Sequence, residues 1–210
     1  NIKLMLSAFL TGFFLGLSLI LAIGAQNTFV LRQGILGNHI FYLALFCAFS
    51  DAILISIGVA GMSFFLHSFI SQNLNILFGF SALWLSGYGI IKLKSVFKSN
   101  ITIEIEISTS KGLLQTISIA AALTFLNPHV YLDTMILIGS ISQQFSGYYK
   151  ITFALGACLA SFVFFFSLSY GARLLIPIMQ RPFSWKILDS FIAIIMFSIA
   201  FKLASAGNWF

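Results

Sequence analysis

The sequence predicts an all-α integral membrane protein, and three observations carry that expectation. Of its 210 residues, 60% are hydrophobic and only 8% are charged, whereas a soluble domain needs roughly 25% charged residues to cover its surface. The mean hydropathy is +1.03. Apolar runs fall at 4–34, 40–66, 74–93, 112–142, 148–176 and 184–204, enough for about six transmembrane helices of ~20 residues each. No stretch is polar and long enough to form a separate soluble unit, so residues 1–210 read as a single transmembrane domain.

The runs are separated by Gly37-Asn38, Ser71-Gln72-Asn73, Ser146-Gly147 and Gln180-Arg181-Pro182, combinations that mark turns. One longer polar stretch, Lys94 to Lys111, contains the alternating segment Ile101 to Ile107, which reads as a short strand or an interfacial loop. The start of the chain imitates a secretory signal, with Ala22-Ile23-Gly24-Ala25 as a cleavage site. Its apolar run is longer than the usual 7–15-residue core of such signals, so the expectation is a retained first span.

The first and fourth runs are longer than a straight span needs at 1.5 Å per residue. Each has polar residues and breakers inside it: Gly24-Ala25-Gln26-Asn27 in the first, Asn127-Pro128-His129 in the fourth. Pro128 removes an amide donor and clashes with the preceding turn, so the fourth helix should open there. Gly24 weakens its helix by about 1 kcal/mol relative to Ala. Helices 1 and 4 are therefore expected to be discontinuous.

The chain also matches itself. A shift of 110 superposes Ala44-Leu45 on Ala154-Leu155, Gly61 on Gly171, and Lys92-Leu93 on Lys202-Leu203. A shift of 103 lays Gly24-Ala25-Gln26 over Asn127-Pro128-His129. Broken, intact and intact helix recur in the same order, as repeat 1 over about residues 1–97 and repeat 2 over about 111–206. Three spans per half is odd, so the expected architecture is two inverted three-helix repeats. Discontinuous helices in inverted repeats are a transporter pattern, with the substrate bound where the breaks meet.

A net charge of +6 would raise the question of nucleic acid in a soluble protein. Here the basic residues lie near the ends of apolar runs, which suits anionic membrane lipids and not nucleic acid. Arg32, Lys94, Lys98, Lys111, Arg173, Arg181 and Lys186 fall on one side, and Lys3, Lys150 and Lys202 on the other. The richer side should be cytoplasmic, leaving both termini on the periplasmic, extracellular side.

Five acids exist: Asp51, Glu104, Glu106, Asp133 and Asp189. The glutamates read as loop residues, and Asp189 as an acid near a helix start, where the dipole favours it. Asp51 lies in the middle of an apolar run, where an ionised carboxylate costs about 2.5–3.5 kcal/mol on insertion scales. It needs a partner, a watery cavity or a proton. Asp133 follows the Asn127-Pro128-His129 break by one turn and can face the same cavity as the opened backbone. For both, the plain alternative is packing against a lysine or arginine of another helix. His129 can relay protons near neutral pH or simply hydrogen-bond at the break. Gln26, Asn27 and Asn127 are neutral groups able to satisfy opened backbone or hold a substrate amino acid. Cys47 and Cys158 read as small buried hydrophobes. No set of ligands has metal spacing, and nothing calls for a cofactor.

Two stretches resemble a known family. Gly24-Ala25-Gln26-Asn27-Thr28-Phe29-Val30-Leu31-Arg32-Gln33-Gly34 is similar to the first-helix signature of the bacterial lysine/arginine exporter family, and Leu126-Asn127-Pro128-His129-Val130-Tyr131-Leu132-Asp133-Thr134 to its fourth-helix signature. Ser50-Asp51 lies where that family carries its second-helix aspartate, and the arginine-exporter branch looks closest. Ala25 departs from the proline often found there, so the first break should be gentler. The resemblance implies an inner-membrane exporter of basic amino acids, not an enzyme, driven by the proton gradient. Asp51 and Asp133 would then supply negative charge and couple protons, and the half-helix N-termini with Asn27 and Asn127 would take the substrate carboxylate. The rival readings are a divalent metal-cation exporter using the same acids and a membrane thiol–disulfide electron carrier using the two cysteines. Self-association into a homo-oligomer is left open.

Overall fold

The computed structural model describes residues 2–21, 24–97, 112–179 and 182–207. These residues are helical almost throughout. Helix α1 spans Ile2–Ile20, α2 Ala25–Leu36 and α3 Ile40–Ile57, the last running into a wider π turn at Gly58–Met62. Helix α4 spans Ser63–Phe97, α5 Leu113–Phe125 and α6 Pro128–Tyr131; a π segment at Leu132–Leu137 links α6 to α7, Ile138–Ser142. Helix α8 spans Tyr148–Gly171, followed by a tight turn at Ala172–Leu175; α9 spans Ile176–Met179 and α10 Pro182–Ala206.

Four of these stretches are long and apolar enough to cross a membrane: Ile2–Ile20, Ile40–Gly61, Tyr148–Ile178 and Phe183–Ala206. Leu113–Phe125 and Leu132–Ser142 are shorter apolar helices on either side of a break. The outward faces carry exposed Phe14, Leu83, Leu114, Ile194 and Phe201, a surface that makes sense in lipid, where apolar side chains need no cover. The chain is a multi-pass, all-α membrane protein.

Both long runs break where the sequence places the breakers. Helix α1 ends at Ile20 and α2 restarts after Gly24, whose extended backbone (φ −113°, ψ 176°) cannot continue the helix. The amide of Asn27 reaches back across the gap and donates to the carbonyl of Ile20 at 2.7 Å, satisfying a group that the helix end leaves orphaned. At the second break, Tyr131 donates to the carbonyl of Phe125 at 2.9 Å, and Ser81 of α4 donates to the carbonyl of Leu126. At each break, side chains thus satisfy carbonyls that the helix end leaves loose.

The turn at Gly37-Asn38 closes α2 through a left-handed Gly37 (φ 77°), with the Asn38 amide bonded to Gln33 O and the Gly37 amide to Gly34 O, both at 3.3 Å. This is the Schellman geometry, and glycine adopts the positive φ without a Cβ clash. Elsewhere the boundaries move. Ser71-Gln72-Asn73 makes no turn, because α4 runs through it; the chain bends earlier, at Gly58–Met62, where Gly61 takes φ 98°. Polar residues alone do not stop a helix, whereas a positive-φ glycine does. The expected strand at Ile101 to Ile107, with Glu104 and Glu106, lies outside the described residues, as do Lys98, Lys111 and Arg181.

Helix α1 packs along α8, α4 along α10, and α3 against both α8 and the broken α5–α7 element. Small residues set these crossings. A Cβ on Gly12 would lie 2.0 Å from the Phe153 carbonyl oxygen, and one on Gly156 2.1 Å from that of Phe9. Gly58 and Gly139 also approach each other closely, a Cβ on Gly139 falling 2.7 Å from Gly58 O. Where lipid removes the hydrophobic drive for helix association, such backbone proximity supplies the packing energy. The main core gathers Phe29, Leu43, Leu85, Leu123, Phe165 and Met196 between the broken helices and α10.

Candidate functional site

A cavity of about 280 Å³ lies where the two breaks meet. It is lined by Gly24, Gln26 and Asn27 from the first break, Asn127 and Asp133 from the second, and Asp51 from α3. Thr134, Phe165, Ile199 and Lys202 complete the polar and apolar walls. Five of the six side chains expected from sequence to contact a substrate therefore share one chamber. The sixth, His129, stands in α6 beside it, and its side chain lies outside the described residues. Pro128 shapes the break and does not line the cavity.

Each polar group is positioned by a local device. Asp51 is buried at 4% exposure in the middle of α3, and the Ser161 hydroxyl of α8 faces it without reaching full hydrogen-bond geometry. Among the described residues Asp51 makes no ion pair. Asp133 sits in the π segment, where the wider turn rotates it toward the break; π turns of this kind occur often at functional sites. Asn27 is fixed by its bond to Ile20 O. Gln26 is buried with its amide nitrogen lacking a hydrogen-bond partner among the described residues, although it adjoins the chamber. Helix α2 begins at the chamber wall with no side-chain cap on Gly24, leaving its first amides and positive dipole end directed there.

A second charged cluster was not expected. Asp189 lies in the third turn of α10, buried at 5% exposure, and not at the helix start. Its Oδ1 is 3.1 Å from Arg32 Nε and 3.6 Å from Lys92 Nζ. Arg32 also stacks 5.7 Å from the Trp185 ring, and Lys92 lies 5.8 Å from the Tyr88 ring. Arg32 is therefore a buried residue of α2 and not a loop cation, a correction to the count of basic residues on that side. A buried carboxylate is tolerated because it is paired with two cations, which no local pattern in the sequence discloses. The chamber and this cluster lie on the same helix, with Lys202 and Asp189 thirteen residues apart, or about 20 Å at helical rise.

Cys47 and Cys158 are both free thiols. No group of three or more His, Cys, Asp or Glu side chains among the described residues could hold a metal ion.

Broken apolar helices that enclose a polar, acidic chamber fit one class, the helical transporters of membranes. The particular family follows from comparison with known proteins. The model of the LysE type translocator family matches residues 17–207, and the chain belongs to that family. It is 39% identical to the "Arginine exporter protein ArgO" of Photorhabdus laumondii, over 97% of this chain and 98% of the relative. It is 37% identical to proteins of the same name from Pectobacterium carotovorum, covering 97% and 99% of the two chains, and Salmonella enteritidis, covering 97% and 96%. No solved structure matches it.

Proposed function

We propose that the chain exports basic amino acids, arginine foremost, across the bacterial inner membrane in exchange for protons. One observation carries this reading: Asp51 and Asp133, from opposite halves of the sequence, line one chamber with the amides of Gln26, Asn27 and Asn127. A carboxylate pair at membrane depth suits a cationic side chain, and amides beside a helix N-terminus suit an α-carboxylate. Relatives named arginine exporters cover the chain almost end to end.

In this mechanism one aspartate holds either a proton or the cationic cargo, never both. Protonation neutralises the carboxyl and so lowers the cost of returning the empty site through the membrane. His129, beside the second break, is the added candidate for moving that proton.

The inverted repeat belongs to the same reading, with repeat 1 at about 1–97 and repeat 2 at about 111–206. Its support is a pair of matched contacts. Gly34 of α2 approaches the Ser169 carbonyl, and Gly139 of α7 approaches the Gly58 carbonyl. A shift of 105 carries Gly34 onto Gly139, and one of 111 carries Gly58 onto Ser169. Such an exchange of partners is what a two-fold axis in the membrane plane produces. It makes six spans, two of them broken, and puts both termini on the periplasmic side. With Arg32 removed from the count, Lys94, Arg173 and Lys186 still mark the opposite, cytoplasmic side against Lys3 and Lys150.

Vesicles reconstituted with the protein and loaded with labelled arginine or lysine test the reading. Release is expected to respond to an imposed pH gradient, and Asp51→Asn to abolish that response. If Asp51→Asn transports at the native rate with native pH dependence, the carboxylate role is wrong; if neither amino acid moves, the substrate is wrong.

A further inference from the structure

Helix α2 connects the chamber to the buried cluster of Arg32, Lys92 and Asp189. It starts at the chamber wall with Ala25 and carries Arg32 seven residues further on, about 10 Å away at helical rise. The rim of the chamber lies at the other end, where Leu19, Ile20 and Ile199 are half-buried and Lys202 is exposed. Towards the cluster, Phe29 on α2 and Leu123 on α5 are at most 2% exposed. The chamber is therefore shut on the side of the cluster and reaches the surface near the end of α10.

The cluster has the properties of a latch. Asp189 Oδ1 accepts from Arg32 Nε of α2 at 3.1 Å and lies 3.6 Å from Lys92 Nζ of α4, so one acid on α10 holds two other elements. A buried ion pair gains little over an apolar contact while dry, because both charges have lost their water. Once water enters, the separated charges are hydrated again. Such a contact closes and opens with a small change in free energy, as long as both partners are present. The acid also stands at one end only. The shift of 110 that matches Lys92 with Lys202 sets Gly79 against Asp189, and the end without the acid is the one where the chamber reaches the surface.

We propose that the Asp189–Arg32–Lys92 cluster is the gate of the chamber on the face where α10 begins, shut in this structure and parted when cargo enters from that face. On the topology proposed above, that face is cytoplasmic. The inference rests on the export reading, since an exporter admits its cargo on one face and releases it on the other. Helix α2 couples the two events, because cargo held at its N-terminus bears on the same element that carries Arg32. The three charged residues act by holding helices together and not by touching cargo.

The native Cys47 reports the state of the gate. It is fully buried in α3, one turn before Asp51 and on the side of the turn that joins α2 to α3, which is the cluster's side of that acid. In a Cys158→Ala background, a membrane-impermeant trimethylammonium methanethiosulfonate is added to one face of reconstituted vesicles at a time. A protein with Lys94→Cys as its sole thiol identifies the cluster's face, since Lys94 is exposed and two residues from Lys92. Asp189→Asn and Arg32→Gln should speed the reaction of Cys47 from that face by roughly tenfold or more and leave the rate from the opposite face native. Lys92→Gln keeps the shorter Arg32 pair and should gain less, and Asp189→Glu should react at the native rate. A native rate from the cluster's face in all three neutral variants, or a gain from both faces alike, overturns the gate and leaves the export reading standing. That reading is tested apart, by arginine and lysine flux through the native protein, and the absence of both fluxes overturns it.

Discussion

Arg32 and Asp189 stand 157 residues apart in the chain yet form a buried ion pair, Nε to Oδ1 at 3.1 Å, that joins the second half of the first broken helix to the last helix. Lys92 brings α4 to the same carboxylate. One acid therefore ties three elements together about 20 Å along α10 from the chamber. Asp189→Asn strands two buried cations and should cost about 3–5 kcal/mol, read as a marked fall in Tm in detergent. The double variant Asp189→Leu with Arg32→Leu should recover part of that loss. If Asp189→Asn unfolds at the native temperature, the pair contributes nothing to stability.

The glycine crossing between α1 and α8 makes a sharper steric prediction. A Cβ on Gly12 has nowhere to go, because backbone atoms of Phe153 occupy its place. Gly12→Val should push the helices apart at a cost of at least about 1–3 kcal/mol. Gly87, with nothing within 4 Å of its Cβ position, serves as the control, and Gly87→Ala should leave thermal unfolding close to native.

Asn27 holds the first break by bonding to Ile20 O. Asn27→Leu leaves that carbonyl without its donor, a loss of about 1–3 kcal/mol if the group stays dry. Hydrogen exchange should speed up at the end of α1 and the start of α2 and remain native in α10. Uniform acceleration across the protein would show that Asn27 supports the whole fold and not the break.

Asp133 lines the chamber, and a neutral analogue separates its charge from its shape. Citrulline has the outline of arginine without its charge. Asp133→Asn should weaken arginine as a competitor for efflux by on the order of tenfold or more, while citrulline competes as it does against native protein. Equal weakening of both compounds means that Asp133 acts through shape.

Much of the site was legible because its chemistry is local. Gly24 and Pro128 break helices through their own backbone properties. Asp51 and Asp133 stand out because a carboxylate inside an apolar run needs an explanation wherever it points. Lys202 was visible as a repeat-related match to Lys92 and as a cation of the less basic side, and Asp189 was misread because it lies close in sequence to a helix start. Arg32 was counted with the cations of one membrane side, yet it lies within α2 and its guanidinium pairs with the buried Asp189.

The sequence by itself determined that this protein lives in a membrane, that two of its helices are interrupted, and which acids are anomalous. Those properties depend on composition and on backbone chemistry within a few residues. Only the tertiary structure decided that the two breaks share a chamber, that Lys202 belongs to it, and that Arg32 and Lys92 neutralise Asp189. Each of these is a contact between side chains far apart in sequence. Among apolar helices of similar composition, close approaches such as those at Gly12, Gly156, Gly58 and Gly139 help to select which helices lie side by side.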